Sequence, residues 1–365
     1  MTLSYSYSKS RKAFLNASES VGAVYSSYVL DDFFGLKDEE LAIDVATVGS
    51  SDAKNVVVVT SGIHGVELPI GSALQCEWLV AANVVCSRDK NTRFVFVHAL
   101  NPYGAAHGLR NDQENIDLNR NFVDFGHIPE TSESYSALAS ALSPKSFNPF
   151  AIANAWINIF SFVKENGSGA FKQALVGGQY KFPDGLYYGG DHPSWTRKTW
   201  EKIAESHIIK PDMQNLWHID IHSGVGPYGE MTVLVNAETN DELYKRAEPI
   251  AGKKLRLSQP SFGVLTGDIT DYWKRLGVPG ACKISPMTIE NGTTKSRFIK
   301  ERDILAAMML RNALFVQYGD KHRAAKNIIH GMRATFIPPE WFWQQKTMRQ
   351  GRNFGKRMMN QVSPK

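Results

Sequence analysis

The sequence predicts an α/β protein built on a mostly parallel sheet. Two observations lead there. Asn55-Val-Val-Val-Val-Thr60 is an unbroken apolar run between polar residues, the pattern of a strand buried on both faces. Further apolar strands then alternate with stretches of helical periodicity, the order in which strand–helix–strand units build a parallel sheet. The 365 residues are 43% hydrophobic and 21% charged, which excludes a fibrous or disordered chain.

Taken in order, residues 5–19 read as a helix, followed by extended pieces to about residue 50. After the first strand comes Ser61-Gly-Ile-His-Gly65 and then a helix over residues 67–82, where Pro69 fits the first turn because its missing N–H costs nothing there. Residues 93–99 form a second strand that ends at the turn Asn101-Pro-Tyr-Gly104. Residues 216–222 form a third and 231–236 a fourth. A fifth covers 281–290, with Pro286 indicating an edge or an irregularity. Residues 297–318 read as a long helix.

Residues 125–200, rich in Ser, Gly, Pro and aromatics, are expected to be a loop-rich insertion or lid within one domain spanning 1–335. Residues 336–365 are expected to be a basic tail. From Gln344 onward there are six basic residues and no acid, against a net charge of +5 for the whole chain. Such a tail could attract nucleic acid or an anionic membrane. The plainer reading is a solvated or subunit-contacting tail, because no nucleic-acid-binding motif accompanies it.

The three cysteines, an odd number with no CxxC pair, argue against a disulfide framework. The first residues lack the apolar segment of a secretory signal. The nearest candidate for a membrane helix, Ile304 to Val316, is broken by Arg311 and Asn312. A cytoplasmic protein is expected, with neither nucleic acid nor membrane as a partner.

In open parallel sheets ligands bind beyond the carboxyl ends of the strands. His64 and Glu67 follow the first strand, His222 ends the third and Glu290 lies near the end of the fifth. Two imidazoles and one carboxylate are a known donor set for catalytic zinc, with a fourth position left to water. HxxE spacing alone is common, and its place after a buried strand is what gives it weight. Zinc polarises a carbonyl and acidifies its water, and a neighbouring carboxylate can then move the proton. Glu290 is the candidate for that role, with a helix cap or surface acid as its alternative.

Arg110 and Arg120 follow the second strand. Guanidinium groups bind carboxylates bidentately, and one of them could stabilise an oxyanion. Ion pairs with Asp112, Glu114 or Asp117 are the alternative. Asp220 and His218 share a strand face with His222 by period-two alternation, and Asp220 could orient that ligand. Tyr187, Tyr188 and Trp195 read as core or lid, with lining of the pocket as the alternative.

The stretches TSGIHGVE (60–67), NPYG (101–104), GLRNDQENIDLNRNF (108–122), GQYKFPDGLYYGG (178–190), HIDIHSGVGPYG (218–229) and TIENGT (288–293) resemble the M14-type zinc carboxypeptidase superfamily, which also holds the aspartoacylases and succinylglutamate desuccinylases. Within it they look most like the DUF2817 proteins. The resemblance implies a three-layer α/β/α sandwich around a mixed, mostly parallel sheet. It implies His64, Glu67 and His222 as ligands of one zinc ion per chain, Glu290 as the residue that activates water, and Arg110 as the residue that polarises the scissile carbonyl. Asn119 and Arg120 match the pair that holds a terminal carboxylate, and Tyr272 is the best match for a tyrosine that closes over substrate. The short separation of Arg110 and Asn119 is closer to the aspartoacylase branch, and Leu68 and Pro69 stand where the DUF2817 proteins often have glycine and phenylalanine. The expected activity is cleavage of an amide bond in a carboxylate-bearing substrate, either a small peptide or, alternatively, an N-acyl amino acid. A metal-binding peptide sensor without catalysis is a further alternative, which the presence of Glu290 and Arg110 disfavours.

Overall fold

The structure is a computed structural model and describes residues 3–238, 241–258, 266–294 and 301–363. In chain order its elements are α1 (Tyr7–Ser20), β1 (Val24–Phe34), β2 (Glu40–Gly49), β3 (Asn55–Ser61), α2 (Leu68–Arg88), β4 (Thr92–His98), α3 (Pro102–His107), α4 (Glu133–Leu142), α5 (Pro149–Val176), α6 (Trp195–Ile203), β5 (Asn215–Pro227), β6 (Met231–Val235), α7 (Glu242–Ala251), β7 (Leu255–Leu257), β8 (Lys283–Thr294), α8 (Glu301–Tyr318), α9 (Ala325–Phe336) and α10 (Trp341–Val362).

The eight strands form one sheet in the order β1-β2-β4-β3-β5-β8-β6-β7. The pairs β4/β3, β3/β5, β5/β8 and β6/β7 are parallel, and β1/β2, β2/β4 and β8/β6 antiparallel. The fold is thus an α/β sandwich on a mixed, mostly parallel sheet. Alternation along each central strand separates two cores. Val57, Val59, Phe94, Phe96, Trp217 and Ile219 face the layer of α1, α2, α7 and α10. Val56, Val58, Val95, Val97 and Leu216 face α6 and the turn carrying Trp273.

Several expectations are corrected. Residues 101–104 do not only turn: Asn101 caps a short helix, its side chain accepting the Gly104 N–H at 2.7 Å. Strand β8 is interior, yet β6 pairs only with Thr288 to Asn291, so Pro286 precedes that ladder and its missing N–H costs no bond to β6. The 125–200 segment is mainly helical, with α4 packed on a long α5 that Gly167 (φ 83°) breaks in two. The start of the helix expected at 297 lies outside the described residues. In place of the basic tail expected at 336–365, residues 341–362 form helix α10, which buries Trp343, Met348, Phe354 and Met358. Among the described residues, the helix long and apolar enough to cross a membrane is Gly65–Arg88 rather than 304–316. Its apolar window is 61% buried, because α2 lies between the sheet and α10.

Candidate metal centre and active site

The loop after β3 carries two of the expected ligands. His64 stands in extended backbone (φ −92°, ψ 107°) ahead of a single turn, Gly65–Glu67, that leads into α2. This turn lies against residues 104–110. Val66 N–H donates to the Leu109 carbonyl at 2.8 Å, and a Cβ on Gly65 would sit 2.1 Å from the Ala105 nitrogen, so only glycine fits. The third, His222, comes from β5, and the β5/β8 register sets Glu290 directly opposite it.

The donor atoms of His64, Glu67 and His222 all lie within 4.8 Å of one another, and all three residues are buried. His64 Nδ1 is 3.0 Å from Glu67 Oε1 and 3.2 Å from His222 Nδ1, which is itself 3.2 Å from Glu67 Oε2. The opposite nitrogens are occupied. His64 Nε2 meets Asp117 Oδ1 at 3.2 Å and His222 Nε2 meets Asp220 Oδ2 at 2.6 Å. A carboxylate on Nε2 keeps the proton there and turns the Nδ1 lone pair toward the other donors. Two lone pairs and an ionised carboxylate facing each other at this range are favourable only with a cation among them. The residues therefore fit a divalent metal ion.

Electrostatics agree. Burial pushes the Glu67 carboxyl up, but His64 and His222 outweigh it and hold it well below the usual carboxylate range. Burial pushes His222 down, but Asp220 and Glu67 raise it well above an ordinary imidazole.

Arg110 lies beside this group. Its Nε donates to Asp117 Oδ2 at 2.9 Å, its Nη1 is 3.6 Å from Glu67 Oε1, and its guanidinium lies over the Tyr187 ring at 5.7 Å. Asp117 thus contacts both His64 and the arginine. Three acids lie close together in the sequence (Asp112, Glu114, Asp117), and spacing alone does not single this one out. Glu290 has a buried carboxylate oxygen, Oε2, with no hydrogen-bond partner among the described residues, and burial pushes its pKa up to about 8, against the pull of His222.

These groups line one cavity of about 330 Å³ together with Asn119, Arg120 and Tyr187. The Asn119 amide is largely committed to the chain, donating to Asp268 Oδ2 at 3.1 Å and accepting the Ile269 N–H at 3.1 Å. Arg120 anchors Nη1 on the Asn119 carbonyl at 2.7 Å, and its buried Nε has no partner among the described residues.

Tyr272 is not part of the cavity, contrary to the expectation. Its hydroxyl donates to Glu201 Oε1 at 2.6 Å and accepts from Arg197 Nη2 at 2.7 Å, and its ring packs on Phe122 in the α6-side core. The tyrosine at the cavity is Tyr187, held at φ 58°, a backbone conformation that is strained for a bulky residue. Helix α5 of the 125–200 segment also reaches the site, where its Lys172, Leu175 and Val176 form one wall, and Ile304, Leu305 and Met308 of α8 form another.

Among curated proteins, none matches the chain. Similar solved structures include carboxypeptidase A from Helicoverpa armigera (14% identity, 92% of this chain and 76% of that one, TM-score 0.46). Bovine thrombin-activatable fibrinolysis inhibitor is similar at 12% identity, over 90% of this chain and 96% of that one, with a TM-score of 0.47. An aspartoacylase family protein from Mesorhizobium loti is similar at 14% identity, over 81% of this chain and 67% of that one, with a TM-score of 0.39. The profile of the DUF2817 family, described as a protein of unknown function, matches residues 3–350, and the chain belongs to that family.

Proposed function

We propose that this chain is a zinc-dependent hydrolase that cleaves an amide bond in a small substrate with a free carboxylate. The observation that carries the reading is the facing set of His64 Nδ1, His222 Nδ1 and the Glu67 carboxylate, with Asp117 and Asp220 on the outer nitrogens. A zinc ion held by these three would supply a Lewis acid and acidify a water.

The chain's own residues do the rest. Glu290 takes a proton from the attacking water and passes it to the leaving nitrogen as the C–N bond breaks, giving an acid and an amine. Its raised pKa suits both halves of that task. Arg110, steadied by Asp117, donates to the oxygen on which negative charge develops. Arg120, with its unpartnered Nε, holds the carboxylate. Cleavage of short peptides is the first reading. Deacylation of N-acyl amino acids is the second, favoured by the α5 wall across the cavity. We place the protein in the reducing cytoplasm, which its three free cysteines support.

The test combines metal analysis with a screen of short peptides and N-acyl amino acids on zinc-loaded protein. One ion per chain and turnover of one substrate class are expected. Glu290→Gln should keep the ion and lose about 10²–10⁴ in rate. A wild-type chain that takes up no zinc, or a Gln variant that retains its turnover, overturns the assignment, and zinc uptake without turnover leaves the peptide-sensor reading.

A further inference from the structure

Behind the ligand His222 runs a buried chain of hydrogen bonds. Trp273 Nε1 donates to His218 Nδ1 at 3.0 Å, His218 Nε2 meets Thr60 Oγ1 at 2.9 Å, and Thr60 Oγ1 donates to Asp220 Oδ1 at 2.6 Å. The other Asp220 oxygen meets His222 Nε2 at 2.6 Å. We infer that Trp273, His218 and Thr60 are positioning residues. Together they set the direction of this chain and so keep His222 in the tautomer that offers Nδ1 to a metal. The inference rests on the metal reading above and extends it to three residues that touch neither metal nor substrate.

The direction follows from donor chemistry. An indole N–H can only donate, so His218 Nδ1 must carry a lone pair and the His218 proton must sit on Nε2. That proton goes to the Thr60 oxygen. The hydroxyl has one hydrogen, and with His218 already donating to it, that hydrogen is free for Asp220. Asp220 therefore accepts on both oxygens, which fixes its rotamer and presents Oδ2 to His222. With the indole N–H absent, His218 can move its proton to Nδ1 and accept from Thr60 instead. Asp220 Oδ1 then loses its donor, and the carboxylate is free to turn away from His222.

Among the described residues these groups have no other hydrogen-bond partner. Thr60, His218 and Asp220 are each 0% exposed and Trp273 is 1% exposed, so bulk water does not reach the chain. Parallel register puts Thr60 opposite Asp220 on β3 and β5, and alternation puts His218, Asp220 and His222 on one face. Two indoles clamp the His218 ring, Trp200 stacked at 5.6 Å and Trp273 edge-on at 5.4 Å. A buried network of this kind is costly when only partly satisfied.

The test is zinc affinity, measured by competition with a chromophoric chelator, for wild type, Thr60→Ser, Thr60→Val, Trp273→Phe and the Val/Phe double variant. Loss of a partner behind a metal-binding histidine weakens affinity by about 10–100-fold. Thr60→Val should fall by about tenfold, at the low end of that range, because it acts one bond further back, and Thr60→Ser should bind as wild type. Trp273→Phe should weaken binding in the same direction. The double variant should be no weaker than Thr60→Val, because without the hydroxyl the direction set by Trp273 no longer reaches Asp220. Independent packing defects would instead add.

Unchanged affinity in Thr60→Val, or additive losses in the double variant, overturns the inference and leaves the metal reading standing. A wild-type chain that binds no zinc overturns the metal reading itself. Should the Val variants fail to fold, the imidazole ¹⁵N spectrum of zinc-loaded wild type decides. A His218 proton on Nε2 supports the inference, and one on Nδ1 overturns it.

Discussion

On the proposed metal reading, His222 is where proton and metal would compete. Burial disfavours its charge, yet Asp220 and Glu67 raise its pKa well above the ordinary imidazole value. A metal needs the same Nδ1 lone pair, so binding must expel that proton. The sign follows: at lower pH more His222 is protonated and apparent affinity falls, and as pH rises affinity increases. One displaced proton corresponds to about a tenfold gain per pH unit below the His222 pKa. Calorimetry of zinc uptake in two buffers of different ionisation enthalpy should register net proton release, and an affinity that does not rise with pH contradicts this. At this scale the sequence was informative about donors and about Asp220, which shares a strand face with His222, and silent about the other partners. His64 and Glu67 stand out by spacing after a buried strand. Asp117 is hidden among neighbouring acids, and Thr60 and Trp273 are unremarkable until β3, β5 and the 269–275 turn are brought together.

Helix α10 shows what charge counting conceals. Its Lys and Arg side chains suggested a tail, but Trp343, Thr347, Gly351, Phe354, Met358 and Val362 recur at helical spacing and are buried. The helix comes close to α2 through small residues: a Cβ on Gly355 would lie 2.5 Å from Trp78 Nε1, and one on Gly351 would lie 2.2 Å from Leu74 Cδ2. Gly355→Val should therefore drive a side chain into Trp78. Overpacking costs ~1–3 kcal/mol, and the better helix propensity of valine returns only a fraction of ~1 kcal/mol. Urea unfolding should show a lower midpoint, and an unchanged one would mean that α10 packs on α2 otherwise than described. Helix α5 was missed for a related reason. Gly167 interrupts its periodicity, and the Ser, Gly and Pro around it resemble a loop in composition, although Asn148 caps it and Pro149 opens it.

At the scale of the molecule, the sheet does the assembling. Strands β3, β5 and β8 run parallel side by side, so His64, His222 and Glu290, far apart in sequence, reach the same sheet edge. That part of the architecture was readable from apolar runs and their order. The walls of the site were not, because they belong to α5 and α8, whose placement depends on long-range packing rather than on local pattern. Those walls decide what can enter. Pockets for small ligands span about 300–1,000 Å³, and this one, at about 330 Å³, sits at the small end, with Leu175 and Val176 on one side and Leu305 and Met308 on another. On the proposed reading, a carboxylate held at Arg120 with its amide beside His64, Glu67 and His222 would leave little room in this cavity for further residues beyond the scissile bond. Cleavage should therefore be efficient for N-acyl amino acids and dipeptides and decline with length. From dipeptide to octapeptide, kcat/KM should fall by at least about tenfold, equivalent to ~1.4 kcal/mol of transition-state binding. A series of acetylated peptides with one common C-terminal residue measures this directly. A value independent of length would show that α5 does not close the cavity to longer chains.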